Sequence, residues 1–158
     1  MTELPLRQAQ GTKAAQGPTT EAVQALSRLS RIVERASDEL SFADYRVLSA
    51  IAAGEARASR LASRLLLGKP TISSTIDSLS KRGLVVRSTV EGDNRAIELS
   101  LSPEGAELFS RMETRMVRQL ELLAARTPNP GQAIESLGWF GVVIEESMVA
   151  HSREGAGE

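Results

Sequence analysis

The sequence predicts a mainly α, α+β fold, and three observations point there. Hydrophobic residues make up 41% of the 158 but aromatics only 3%, so packing is aliphatic, which favours helices over sandwiches. From Glu21 onward apolar residues recur mostly at three- and four-residue steps, the helical period. The period shortens to two in one place only, between Gly83 and Ser102. The length suits one domain, or one compact unit plus a dimerising extension.

Residues 1–20 are rich in Gly, Gln, Thr and Ala without periodicity and are expected to form a flexible tail. A first helix is expected over 21–40, with Leu26, Leu29, Val33, Ala36 and Leu40 as its apolar stripe. Ser41 with Asp44 three residues on reads as an N-cap. The second helix then carries Tyr45, Leu48 and Ile51 until Gly54 stops it. Ser59 is expected to cap a short third helix bearing Leu61, Leu65 and Leu66, which Gly68-Lys69-Pro70 breaks.

Pro70 suits the first turn of a fourth helix, where its missing N–H needs no partner. Ile72, Ile76 and Leu79 share one face of that helix, leaving Thr71, Ser73, Ser74, Thr75, Ser78 and Lys81 outward or flanking, and Gly83 closes it. The segment RSTVEGDNRAIELSLSPEG, Arg87 to Gly105, follows as a hairpin. Leu84 and Val86 before its turn, and Ile97, Leu99 and Leu101 after it, are expected on one buried face. Ser102-Pro103-Glu104 starts a long helix, since it supplies an N-cap, an N1 proline and an acid at the positive end of the dipole. After the break at 127–131 comes a last helix with Trp139, Phe140, Val143 and Ile144, apolar around much of its circumference. Residues 152–158 are expected to fray.

Net charge is only −1, yet residues 57–95 hold eight Lys/Arg against three acids, +5, while the remainder carries 11 basic and 17 acidic residues, −6. Positive charge is thus concentrated on the third and fourth helices and the hairpin, as on a surface that meets a polyanion. There is no cysteine, which excludes disulfides and thiolate metal clusters. No apolar run exceeds four residues, so no membrane span is expected, and a cytoplasmic location is. With no histidine in the folded part, no thiol nucleophile and no Gly-rich phosphate loop, neither an enzyme nor a cofactor is expected.

A helix-turn-helix followed by a two-stranded hairpin is a winged helix-turn-helix, spanning residues 41–102. Three segments, LSFADYRVLSAIAAG, SRLASRLLLGKPTISSTIDSLSKRGLV and the hairpin with its Asp-x-Arg, resemble the DNA-binding core of the MarR (multiple antibiotic resistance regulator) family of bacterial repressors. The resemblance implies a dimerisation domain built from the N-terminal helix, 21–40, and the C-terminal helices, 103–151. It also implies a homodimer that binds double-stranded DNA and represses transcription, with the fourth helix in the major groove. The apolar surface of the last helix asks for such a partner independently.

Physical reasons stand beside the resemblance. A recognition helix needs short donors forward and bulky groups behind, which makes Lys69, Pro70, Thr71, Ser73, Ser74, Thr75, Ser78 and Lys81 candidate DNA-facing residues. A hairpin tip is slim enough for a minor groove, where negative potential attracts arginine. Arg95 is the candidate inserted there, Asp93 its brace, and Arg87 a further cation beside them. Ser74 departs from the family, whose members commonly carry an arginine in that helix, so fewer bidentate guanine contacts are expected. Family members often respond to small, frequently phenolic or anionic ligands. Phe42, Tyr45 and Arg46 are candidate pocket residues for such an effector, with core aromatics and a surface arginine as the alternative reading. A winged helix used as a protein-binding module is the second functional reading, supported by the few cations on the fourth helix.

Overall fold

The computed structural model describes residues 17–36, 38–90 and 93–154, with side chains except at 90, 93–96 and 148–154. Among the described residues eight elements follow in order: α1 (Pro18–Glu34), α2 (Phe42–Ala52), α3 (Ala58–Leu65), α4 (Lys69–Lys81), β1 (Val85–Val90), β2 (Asp93–Leu101), α5 (Pro103–Ala124) and α6 (Pro130–Glu154). The mainly helical chain with one small antiparallel sheet is the winged helix-turn-helix architecture, with α1 before it and α5 and α6 after it.

Local signals account for most boundaries. Gly17 precedes a proline in the first turn of α1, three residues earlier than the apolar period alone would start the helix. Ser41 and Asp44 form the full capping box at the start of α2, Asp44 N–H donating to Ser41 Oγ at 3.1 Å and Ser41 N–H to Asp44 Oδ2 at 3.2 Å. Gly54 follows α2 at φ 95°. Asn129 Oδ1 accepts from Gln132 N–H at 3.3 Å where α6 begins, and α6 runs on through Glu154, into the stretch expected to fray.

Four expectations need correction. α1 ends at Glu34, so Ala36 and Leu40 are not on it; Leu40 reaches the core from the connecting turn and is 4% exposed. Ser59 lies inside α3, whose N-cap is Arg57 without a side-chain cap bond. Leu66 does not extend the apolar face of α3: it ends the helix in the left-handed region at φ 52°, and its side chain is 77% exposed. In the hairpin the buried side belongs to Val85, not Val86. β1 begins at Val85 and pairs Val85 with Leu101, Arg87 with Leu99 and Thr89 with Ile97, so odd-numbered residues share the inner face. Val86 is therefore exposed, and Ile97, on the inner side but beyond the core, is exposed as well.

The core sits in the winged-helix lobe. Val47 and Leu48 of α2, Leu61 of α3, Ile72, Ile76 and Leu79 of α4 and Met112 of α5 are fully buried, with Leu84, Val85 and Leu99 closing the hairpin side. Leu99 N–H donates to the Ala56 carbonyl at 2.8 Å, tying β2 to the α2–α3 loop. Ser102 fastens the hairpin base, because its hydroxyl donates to the Gly83 carbonyl at 2.6 Å and accepts from Gly105 N–H at 2.9 Å. α1, by contrast, has no buried residue. On α6 Trp139, Phe140, Val142, Val143 and Ile144 are all more than half exposed, a contiguous apolar surface of the kind that marks an interface.

Candidate nucleic-acid interface

α4 presents two chemically different faces. Behind, Ile72, Ile76 and Leu79 are 1%, 2% and 0% exposed and lock the helix onto the lobe. In front, Lys69, Pro70, Thr71, Ser73, Ser74, Ser78 and Lys81 are exposed, as the period of 3.6 dictates. Thr75 lies at the flank, half-buried, and its hydroxyl donates to the Thr71 carbonyl at 2.9 Å, so its proton is spent within the helix. Gly68 at the N-cap brings no capping side chain. The backbone N–H groups of the first turn therefore point outward at the positive end of the dipole, the arrangement that holds phosphate.

The cations divide into paired and unpaired. Arg87 on β1 donates through Nη2 to Asp77 on α4, a carboxylate the sequence reading did not single out. Arg82, at the C-cap of α4, turns away from the front face: Nη2 donates to the Glu39 carbonyl at 2.7 Å and Nη1 stands 3.5 Å from Asp44 Oδ2. Arg64 reaches Glu145 of α6 at 3.0 Å and Glu55 at 3.9 Å. Arg57, Arg60, Lys69 and Lys81 make no ion pair among the described residues and are exposed. Arg57 and Arg60 open α3, and the +5 excess of their segment was the signal that could have named them. The side chains of Asp93 and Arg95 lie outside the described residues, and β2 carries both at its start.

Tyr45 sits between the lobe and α5, with Phe42 stacked beside it and Arg46 turned to the end of α3. Tyr45 stacks on Phe42 at 5.9 Å and on Phe109 of α5 at 5.5 Å between ring centroids. Its hydroxyl donates to Glu113 Oε1 at 3.3 Å. Burial, then the neighbouring Glu113 carboxylate, raises the Tyr45 phenol above its ordinary pKa. Arg46 Nη2 donates to the Leu65 carbonyl at 2.9 Å and so satisfies the end of α3. Each of the three thus has a role inside the fold. Among the described residues no helix is long and apolar enough to cross a membrane, and no cluster of His, Cys, Asp or Glu has metal-binding geometry.

Residues 38–96 match the MarR family. Over 97 residues the chain is 29% identical to the HTH-type transcriptional regulator PecS of Dickeya dadantii strain 3937. That match takes in 55% of this chain and 58% of PecS, so the chain spans little more than half of that curated relative. The crystal structure of the PcaV transcriptional regulator from Streptomyces coelicolor in complex with its natural ligand aligns with a TM-score of 0.63 at 22% identity, over 95% of this chain and 99% of that one. The transcriptional repressor CouR bound to a 23-mer DNA duplex aligns with a TM-score of 0.68 at 20% identity, over 80% of this chain and 91% of that one. At such identities the structural likeness speaks for the fold.

Proposed function

We propose, from the match of residues 38–96 to the MarR family, that this chain is a winged-helix regulator that binds duplex DNA as a homodimer and represses transcription by occluding a promoter. The front of α4 carries the proposal: exposed Lys69, Thr71, Ser73, Ser74 and Ser78 over a fully buried apolar back, beside a two-stranded wing. Short hydroxyl side chains let the helix lie deep in a major groove and bond either base edges or phosphate. With few cations on α4, base discrimination leans on DNA shape and on the wing, where Arg95 enters the minor groove and Asp93 directs it. Arg57 and Arg60 at the start of α3, which make no ion pair among the described residues, add phosphate contacts.

A two-fold dimer joined through α1, α5 and α6 sets the two α4 helices about one DNA turn, roughly 34 Å, apart and makes the operator a pseudo-palindrome. The exposed apolar faces of α1 and α6 support that arrangement. Release by a small phenolic or anionic effector completes the proposal, with Tyr45 at the contact with α5, Phe42 beside it and Arg46 at the end of α3 as its sensors. The likeness to PcaV, crystallised with its natural ligand, supports an effector.

Equilibrium binding of the purified protein to its own upstream DNA, and to random duplex, tests this across salt, with and without phenolic ligands. A DNA reader loses affinity steeply with salt. Arg95→Ala weakens binding and leaves the dimer intact; unchanged affinity with an unchanged salt slope removes Arg95 from the minor groove. The protein-binding reading draws on the few cations of α4 and on Arg64, Arg82 and Arg87 of the basic segment, each held in an ion pair. No mobility shift on any duplex at low salt selects it.

A further inference from the structure

Asp77 is the one acid on α4, and it stands exposed beside hydroxyls and Lys81 on a helix read as facing phosphate. Bare electrostatics makes it a liability there, since a carboxylate near phosphate repels. Its partner shows another use. Arg87 lies on β1 opposite buried Leu99, hence on the hairpin's inner side, and its Nη2 donates to Asp77 Oδ1. The pair bridges the helix and the wing.

We propose that Asp77 is a positioning residue for DNA recognition: it anchors one edge of the Arg87 guanidinium, aims the remaining donors at a phosphate along the α4–wing seam, and sets the wing's angle to the helix. Arginine has five N–H donors in a rigid fork, so an anchored edge leaves donors for a second anion. This rests on the DNA-binding reading.

The two effects of Asp77 carry opposite signs, which makes the test decisive. Asp77→Asn, Arg87→Gln, the double variant and Asp77→Glu are titrated with a labelled random-sequence duplex and with upstream duplex across salt, thermal melting confirming that each is folded. Positioning weakens the Asn variant about fivefold and lowers its salt slope by about 1, as in the Gln variant. The double variant is then no weaker than the weaker single, and the Glu variant stays near wild type. Equal or tighter binding by Asp77→Asn overturns the inference. So does weakening that is additive with Arg87→Gln at an unchanged slope, the mark of a merely structural role. Failure of the wild type on every duplex sinks the DNA-binding reading itself, and is distinct from both.

Discussion

Gly105, in the first turn of α5, lies directly against the Leu84 carbonyl: a Cβ at position 105 would stand 2.0 Å from Leu84 O and 2.8 Å from its carbonyl carbon. Both obstacles are backbone, so no side chain can swing aside. The Leu84 carbonyl also accepts from Ser102 N–H at 3.1 Å, which means the strand base and the start of α5 are fixed to each other at this point. Gly105→Ala therefore forces the hairpin away from α5 and costs about 3 kcal/mol or more, the upper range for overpacking. Chemical denaturation measures it, and a midpoint equal to wild type would show that the junction yields.

Leu66 predicts the opposite sign. Its φ of 52° places a branched side chain in the left-handed region while 77% of the residue is in solvent. The conformation costs roughly 1 to 2 kcal/mol in an L-residue, and little packing offsets it. Leu66→Gly removes the strain at the expense of a freer unfolded chain, for a net gain of about 0.5 to 1 kcal/mol. A higher urea midpoint with an unchanged slope is the expected result; a lower midpoint would mean that the leucine packs where the single chain shows solvent.

Tyr45 gives the fold an alkaline limit. Burial between Phe42 and Phe109, with Glu113 at the hydroxyl, raises its folded pKa above the ordinary value. A raised pKa means that the native state favours the protonated phenol. The contribution is fully present below the unfolded pKa of about 10 and is lost as pH rises toward the folded value. Tyr45→Phe lacks this titration, so the difference in stability between wild type and variant should change above pH of about 10 and stay flat below it. Parallel pH profiles for the two proteins would remove Tyr45 as the cause.

What the sequence made legible was short-range. Ile72, Ile76 and Leu79 follow the helical period between a proline and a glycine, and Ser41 and Asp44 satisfy each other three residues apart, so both were readable without the fold. The misplaced features depend on where an element begins or ends in space. Leu40 continues the spacing of α1 although the helix stops at Glu34, because a turn happened to return an apolar residue to the core. Counting by twos from Leu84 puts Val86 on the inner face, but Leu84 reaches the core before β1 starts and so shifts the phase by one. The pairing of Asp77 with Arg87 has no signal at all in the chain, since ten residues and a turn separate them and only the folded hairpin brings them together. The same holds for Arg64 with Glu145 and for Arg82 with Asp44, pairs that only the fold brings together.

The apolar surface of α6 supports the last prediction. Phe140 is 68% and Trp139 60% exposed in the single chain, with Val142, Val143 and Ile144 alongside. A charge placed at Phe140 meets solvent in the monomer and costs that fold little, but in a dimer joined through α6 it would be buried without a partner, at several kcal/mol. Phe140→Asp should thus sediment as a monomer with wild-type helix content. Its affinity for a pseudo-palindromic duplex should fall by about 100-fold, because one lobe alone loses the effective concentration that the second lobe supplies. A variant that remains dimeric would place the interface elsewhere. One that becomes monomeric yet binds DNA as before would show that a single lobe suffices for recognition, and would remove the two-fold operator from the mechanism.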